Sequence, residues 1–336
     1  MAYSERELTA PVNLCTEKGT LNPEAVGWSR HPLHTCNLRG RFPRKKRWNY
    51  WCITTRDFLF SATVSDIDYL GLAFVYFLDF RTGYFHEKTV STLLGRGFDL
   101  PPTADGDVEF VSPGLTASFL NHDQGVKISV DIPAFDGKVL TARLEVSRPR
   151  DHETLNVVIP WSRRQFQFTS KQNTLPVTGT VQLGDAVYDA RGGFACLDLG
   201  RGIWPYSSFW NWASASGVSN GHTIGLNFGA GWTDGTGLNE NGICIDGVLT
   251  KIHEDVVFAY DGKNLMAPWK LHTQDGQVDI TFVPFFQRTA KTDVWVLRSE
   301  VHQMIGRFSG TVVDGKGQKY TFRDIVGWAE EHFARW

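Results

Sequence analysis

FWNWASASGVSNGHTIGLNFGAGWTDGTGLNENGICIDG, Phe209–Gly247, decides the reading of this chain. Within it, Thr223, Gly225, Asn227 and Gly229 alternate with Ile224, Leu226 and Phe228. A period of two marks a strand with one apolar face. The opposite face carries small and polar residues, which leave room beside the sheet. Further on, Glu240, Gly242, Cys244 and Asp246 alternate with Asn241, Ile243 and Ile245 in a second strand. The stretch closes on Asp246–Gly247, a two-residue hairpin signal, because Gly tolerates positive φ and Asp bonds its local backbone. Trp210, Trp212 and Trp232 lie beside Asp234, Glu240, Asn241 and Asp246. Carboxylates set among tryptophans in a strand-rich segment point to a lined cavity.

The same style continues downstream. Asp261–Gly262, Asp275–Gly276 and Asp314–Gly315 are further hairpin signals, and the pairs at 246, 261 and 275 are spaced about 14 to 15 residues apart. That spacing fits an up-and-down meander, which closes into a barrel to remove exposed edges. Upstream, Trp48–Thr54, Phe58–Ser65, Leu70–Phe80 and Tyr84–Leu94 are aromatic and β-branched runs. Leu115–Leu120, Val126–Ile132, Val139–Ser147 and Thr154–Trp161 follow, with turns at Asn121–Gly125 and Asp136–Gly137. No βαβ alternation appears, which disfavours Rossmann-like and TIM folds. The expected fold is all-β, with two antiparallel β-barrels packed together. We place one domain over 1–170, opened by an irregular arm with Pro11, Pro23, Pro32 and Pro43, and the other over 171–336, the boundary lying in the polar stretch SKQNT near Ser170. A short C-terminal helix is expected over Phe322–Ala334. Thr321 and Asp324 resemble a capping box, and Phe322, Ile325, Val326, Ala329, Phe333 and Trp336 fall on one face at helical spacing.

Composition sets the class. The 336 residues carry a net charge of −2, so no strong nucleic-acid or acidic-membrane field is expected. The 12 tryptophans and 23 phenylalanines favour strands and pocket walls. Cys15, Cys36, Cys52, Cys196 and Cys244 form no CxxC pair and read as reduced thiols. The N-terminus is too polar for a secretory core, and the longest intensely apolar run, Tyr69–Leu78, is too short to span a bilayer. The expectation is a soluble, cytoplasmic protein with no integral membrane segment.

Each remaining motif has a plain reading beside a functional one. GAGWTDG, Gly229–Gly235, has the wrong spacing for a dinucleotide loop and no following helix. ASASG, Ala213–Gly217, lacks the first glycine of a nucleophile elbow. His31, His34 and Cys36 hold zinc-ligand types, but no fourth ligand lies nearby, and no metal is expected. RFPRKKRWNYW, Arg41–Trp51, combines the basic run Arg41, Arg44, Lys45, Lys46 and Arg47 with aromatic residues. We read it as a solvated entry to an edge strand, with contact to an acidic group on a ligand as the alternative, rather than as a nucleic-acid site. Asp66 and Asp68 share one face if the strand continues through them, and otherwise flank a hairpin turn, the reading we favour. Asp198 and Arg201 are expected to form a bidentate ion pair, either pinning a long strand or walling a pocket with Trp204, Tyr206, Trp210 and Trp212. Asn227 and Glu240 are expected to point into one barrel interior. A buried Glu240 has a raised pKa and serves as a general acid. The plain alternative is a carboxylate satisfied by turn amides.

HPLHTCNLRGRFPRKKRWNYWCI, SATVSDIDYLGLAFVYFLDF, DLGRGIWPYSSFWNWASASG and GLNFGAGWTDGTGLNENG together resemble the family called domain of unknown function 2804, over nearly the whole chain. That family is similar to a wider lipocalin-like group that includes carotenoid 1,2-hydratases and AttH-like two-barrel proteins. The resemblance implies two lipocalin-like β-barrels, a ligand held in or between them, and catalysis without a redox cofactor. WNW and Tyr260–Asp261 are only loose echoes of the hydratase residues. The first functional reading is therefore an enzyme that binds an isoprenoid- or polyketide-like hydrophobic molecule. It promotes hydration, isomerisation or cyclisation with Glu240 or Asp234 as acid, and Trp210, Trp212 and Trp232 stabilise cationic character. The second is a non-catalytic lipid carrier. The third is a glycosidase-like protein using paired carboxylates and tryptophan stacking.

Overall fold

The computed structural model describes residues 5–294 and 297–336, almost all in antiparallel strands. Two sheets carry the fold. The first runs from the edge strand Phe85–Leu93 through Leu70–Asp79, Phe58–Asp66, Lys45–Thr54, Gly193–Ile203, Phe166–Leu183, Lys138–Ser147, Gly125–Phe135 and Leu115–His122 to Val108–Ser112. It curls into a nearly closed barrel. The second begins at Ser207 and forms a half-barrel. At its centre lie His222–Ala230, Ser207–Ser219, Lys319–Arg335, Leu297–Val313 and Val278–Val294. Both sheets follow one plan. Four consecutive strands run to one edge, the chain crosses to the far edge, and it returns until its last strand pairs with the first. The two-barrel expectation holds. The chain passes between sheets from Ile203 to Ser207, and residues 170 and 171 lie inside the continuous strand Phe166–Leu183.

Local sequence explains the turns. Asp136–Gly137 and Asp246–Gly247 join neighbouring strands with φ of 51° and 75°, and of 51° and 84°. Two successive positive φ values match the turn whose twist suits a hairpin.

The C-terminal helix is corrected to a strand, Lys319–Arg335. Among the described residues the one helical element is the single turn Pro23–Ala25. A bulge caused the misreading. Ile325 pairs with Phe308 and Phe322 with Gly310, so Arg323 and Asp324 oppose Ser309 alone, and Asp324 takes φ of 58°. The extra residue makes two inward positions, Phe322 and Ile325, fall three apart, which imitates helical spacing. The supposed capping residue Asp324 instead donates its backbone N–H to Ser309 Oγ at 3.0 Å.

Period-two alternation gives each central strand two buried faces. Trp51, Phe60, Phe77 and Phe119 fill the nearly closed barrel, and Trp269, Phe282, Phe308 and Phe322 fill the half-barrel. The outward faces meet in a third cluster: Tyr50, Cys52, Leu59, Tyr76, Trp212, Ile305 and Trp328. Among the described residues no helix is long and apolar enough to cross a membrane.

Candidate functional site

A cavity of about 300 Å³ adjoins this third cluster, between the two sheets and outside both barrel interiors. Register sorts its walls into rows. On the first sheet Lys171, Asp198, Tyr50, Thr63 and Phe74 pair directly, each with the next. Two residues along each strand, Thr169, Gly200, Trp48, Ser65 and Leu72 form the adjacent row. On the second sheet Trp212, Glu330, Gln303 and Arg288 form one row, and Trp210, His332, Val301 and Ala290 the next. Side chains two apart share a face, so both rows of each wall look into the gap. The rows with the ionisable groups abut the packed cluster. Tyr76 donates to Gln303 Oε1 at 2.8 Å, and Arg288 holds Glu87 with two bonds of 2.9 and 3.0 Å. The other rows are mainly aromatic and aliphatic, with Leu70 and Leu297 beyond them.

Glu240 sits at one end. Its Oε1 accepts from Trp232 Nε1 at 2.9 Å, and its Oε2 lies 3.1 Å from Lys171 Nζ. Lys171 also lies 3.0 Å from Asp198, which accepts from Thr169 Oγ1 at 3.2 Å. The ammonium is 4.2 Å from the Trp212 ring. Burial pushes the Glu240 carboxyl above its ordinary range; Lys171 opposes this, and Asp198 adds to it. Burial alone favours neutral Lys171, but Asp198 and Glu240 hold its pKa raised, so it remains a cation. Gly229 makes the arrangement possible, because a Cβ there would stand 2.1 Å from Glu240 Oε1.

Glu330 sits on the facing wall. It accepts from Trp210 Nε1 at 3.1 Å and from Gln303 Nε2 at 3.3 Å. Burial pushes its carboxyl up to about 7, against the opposing pull of the Trp210 bond and Arg288. His332, one row along, packs on Trp210 with ring centroids 4.0 Å apart and meets Ser299 Oγ at 2.9 Å. Burial lowers its imidazole to about 3, so it is neutral near pH 7.

The structure brings together Trp204, Trp210, Trp212, Trp232, Asp198 and Glu240 of the residues singled out in the sequence. Glu240 and Asn227 are not in a barrel interior as expected. Asn227 stands behind the cavity wall, accepting from Trp212 Nε1 at 2.9 Å and donating to the Glu240 carbonyl at 2.7 Å. The Asp198–Arg201 pair does not form. Residues three apart on a strand face opposite ways, and Arg201 bonds Asn49 Oδ1 at 2.7 Å and the carbonyls of Trp48, Gly200 and Pro101 instead. Asp234 is an exposed turn residue outside the cavity, accepting from the Gly231 N–H at 3.1 Å. Tyr206 is 42% exposed and also lies outside the lining, with Arg44 4.9 Å from its ring.

The basic segment does not enter an edge strand. Lys45–Thr54 is paired on both sides, and buried Lys46 donates to the carbonyls of Pro43 and Ile67 at 3.2 and 3.1 Å. Asp68 takes φ of 77° in the turn, whereas Asp66 ends the strand Phe58–Asp66 and pairs with Arg47. His34 Nε2 meets the Ala25 carbonyl at 2.9 Å, and no cluster of metal-ligand residues occurs among the described residues.

Sequence reasoning missed Lys171, Glu330, Gln303 and Arg288. For Lys171 a signal existed: Gln167, Thr169 and Lys171 alternate with Phe166, Phe168 and Ser170, a strand pattern in a stretch read as an interdomain link.

Comparison with known proteins agrees with this architecture. The fold is similar to that of an AttH-like protein from Nitrosomonas europaea, at 14% identity and a TM-score of 0.51, covering 87% of this chain and 93% of that one. It is also similar to CghA crystallised with Sch210972, at 13% identity and a TM-score of 0.54, covering 87% and 89%. No curated protein matches the sequence. Residues 5–336 match a single family description, and the chain belongs to that family, domain of unknown function DUF2804.

Proposed function

We propose that this chain binds a hydrophobic, isoprenoid- or polyketide-like small molecule between its sheets and promotes cofactor-free acid–base chemistry on it: hydration, isomerisation or cyclisation. The observation that carries this reading is a pair of buried carboxyls, Glu240 and Glu330, in one tryptophan-walled cavity. Their environments differ. Glu240 shares Lys171 with Asp198, whereas Glu330 is held by the neutral donors Trp210 and Gln303. Separating two carboxyls in this way divides acid from base. Glu330, with a pKa near working pH, is suited to deliver a proton to an alkene or carbonyl. Glu240 with Lys171 is suited to accept one or to orient water. Trp210 and Trp212 face the same space and stabilise developing positive charge. The CghA fold, crystallised with the small molecule Sch210972, supports ligand binding as the use of the architecture. A glycosidase fits less well, because Leu72, Val301, Ala290, Leu70 and Leu297 line the cavity beside the tryptophans.

Native mass spectrometry of the purified protein identifies the co-purified ligand, and turnover of that compound is then followed. Glu330→Gln and Glu240→Gln should each lower turnover by about 10²- to 10⁴-fold while retaining binding. If wild type releases the compound unchanged, the protein is a carrier and the catalytic reading fails.

A further inference from the structure

Three hydrogen-bond donors in the cavity have no partner: Thr63 Oγ1, Gln167 Nε2 and Trp336 Nε1. Thr63 and Gln167 are 4% and 0% exposed. The orientation of the Gln167 amide is fixed by chemistry. Indole nitrogen only donates, so the atom 2.7 Å from Trp204 Nε1 is the amide oxygen. The NH₂ group is thereby left without an acceptor. The carboxyls of the same cavity are already supplied with donors: Glu240 by Trp232 and Lys171, Asp198 by Thr169 and Lys171, and Glu330 by Trp210 and Gln303. Glu240 Oε2 meets Lys171 Nζ as an ion pair without a further hydrogen bond, so the unpaired groups of the wall are three donors against one carboxylate oxygen, and donors predominate.

Resting on the proposed ligand-binding reading, we infer that the ligand is an oxygenated hydrophobe with a carbonyl or ether acceptor, rather than a hydrocarbon polyene, and that Thr63 recognises its oxygen. Thr63 stands in register between Tyr50 and Phe74, in the row of the first sheet that also holds Lys171 and Asp198. An oxygen there places the polar end of the ligand against the ionisable rows. Its hydrocarbon part then lies along Trp48, Leu72, Val301 and Ala290. Buried donors left unpaired are costly, so a ligand without an acceptor is rejected more strongly than apolar contact alone predicts.

The test uses two probes of equal shape, 2-acetylnaphthalene and 2-isopropenylnaphthalene, which differ in C=O against C=CH₂. Affinity is measured by equilibrium dialysis. Without donors in the wall the alkene binds more tightly, because it is less well hydrated. The inference expects the ketone to bind wild type at least about tenfold more tightly. Thr63→Val, which keeps side-chain shape, should reduce that preference at least about threefold with unchanged near-ultraviolet circular dichroism, and Thr63→Ser, which keeps the hydroxyl, should retain it. Equal binding of the two probes to wild type, tighter binding of the alkene, or a preference unmoved by Thr63→Val overturns the inference and leaves the ligand-binding reading standing. Binding of neither probe overturns both.

Discussion

Replacing Glu330 with Gln should change how stability depends on pH, and the sign follows from burial. The carboxyl titrates near 4.5 when exposed and near 7 in the fold. Below 4.5 both states hold the proton and the group is neutral in the linkage. Between these values only the folded state keeps it, so wild-type stability falls as pH rises. Above 7 both states have released it, and the full cost of a buried carboxylate is present. Moving a carboxyl from 4.5 to about 7 corresponds to about 3 kcal/mol. Glu330 is only 7% exposed, so solvent screens little of this. The Gln side chain does not titrate. Urea unfolding followed by tryptophan fluorescence, at several pH values from about 4.5 to 8, gives the stability of each protein. All other titrating groups cancel in the difference. The variant should gain about 3 kcal/mol on wild type across that range, whatever offset the altered bonds to Trp210 and Gln303 introduce. A difference constant to within about 0.5 kcal/mol would refute the claim that burial raises this group.

Other substitutions probe the opposite end. Lys171→Met removes the cation between Asp198 and Glu240 and should cost about 3–5 kcal/mol near neutral pH, by thermal or urea unfolding. The loss should shrink in acid as Glu240, raised by burial, takes up its proton; a loss of under about 1 kcal/mol would show that the pair is not held by this cation. Gly229→Ala places a Cβ 2.1 Å from Glu240 Oε1, so the carboxyl must leave Trp232. It should cost about 1–3 kcal/mol and depress turnover of the native ligand, and a fully active, equally stable variant would count against the role given to Glu240.

The fold was legible wherever the chemistry is local. Alternation in Thr223–Gly229 and the Asp-Gly pair at 246–247 correspond to a strand and a hairpin. The tryptophan-rich stretch from Trp204 to Glu240 does contribute one end of the cavity. The rest was hidden for two physical reasons. The bulge at Arg323–Asp324 shifted the apolar period of the last strand, so Glu330 and His332 were assigned to a helix surface. The cavity itself is made by register. Lys171, Tyr50 and Thr63 become neighbours through ladders between strands far apart in the chain, and no spacing along the sequence records that. Asp198 and Arg201 erred in the other direction: proximity in sequence suggested a contact that strand geometry forbids.

Because the cavity lies outside both barrels, the strands that line it divide their residues between two tasks. On Lys45–Thr54, Trp51 and Ile53 pack the barrel while Trp48 and Tyr50 face the cavity. On Leu70–Asp79, Ala73 and Val75 pack the barrel while Leu72 and Phe74 face the cavity. A ligand seated inside a barrel competes with the core for the same side chains, so a change in specificity perturbs folding. Here odd and even positions can vary independently. On the proposed ligand-binding reading, Leu72, Ala290 and Val301 are therefore natural points for diversification, where a new ligand shape is accepted without repacking either sheet's interior.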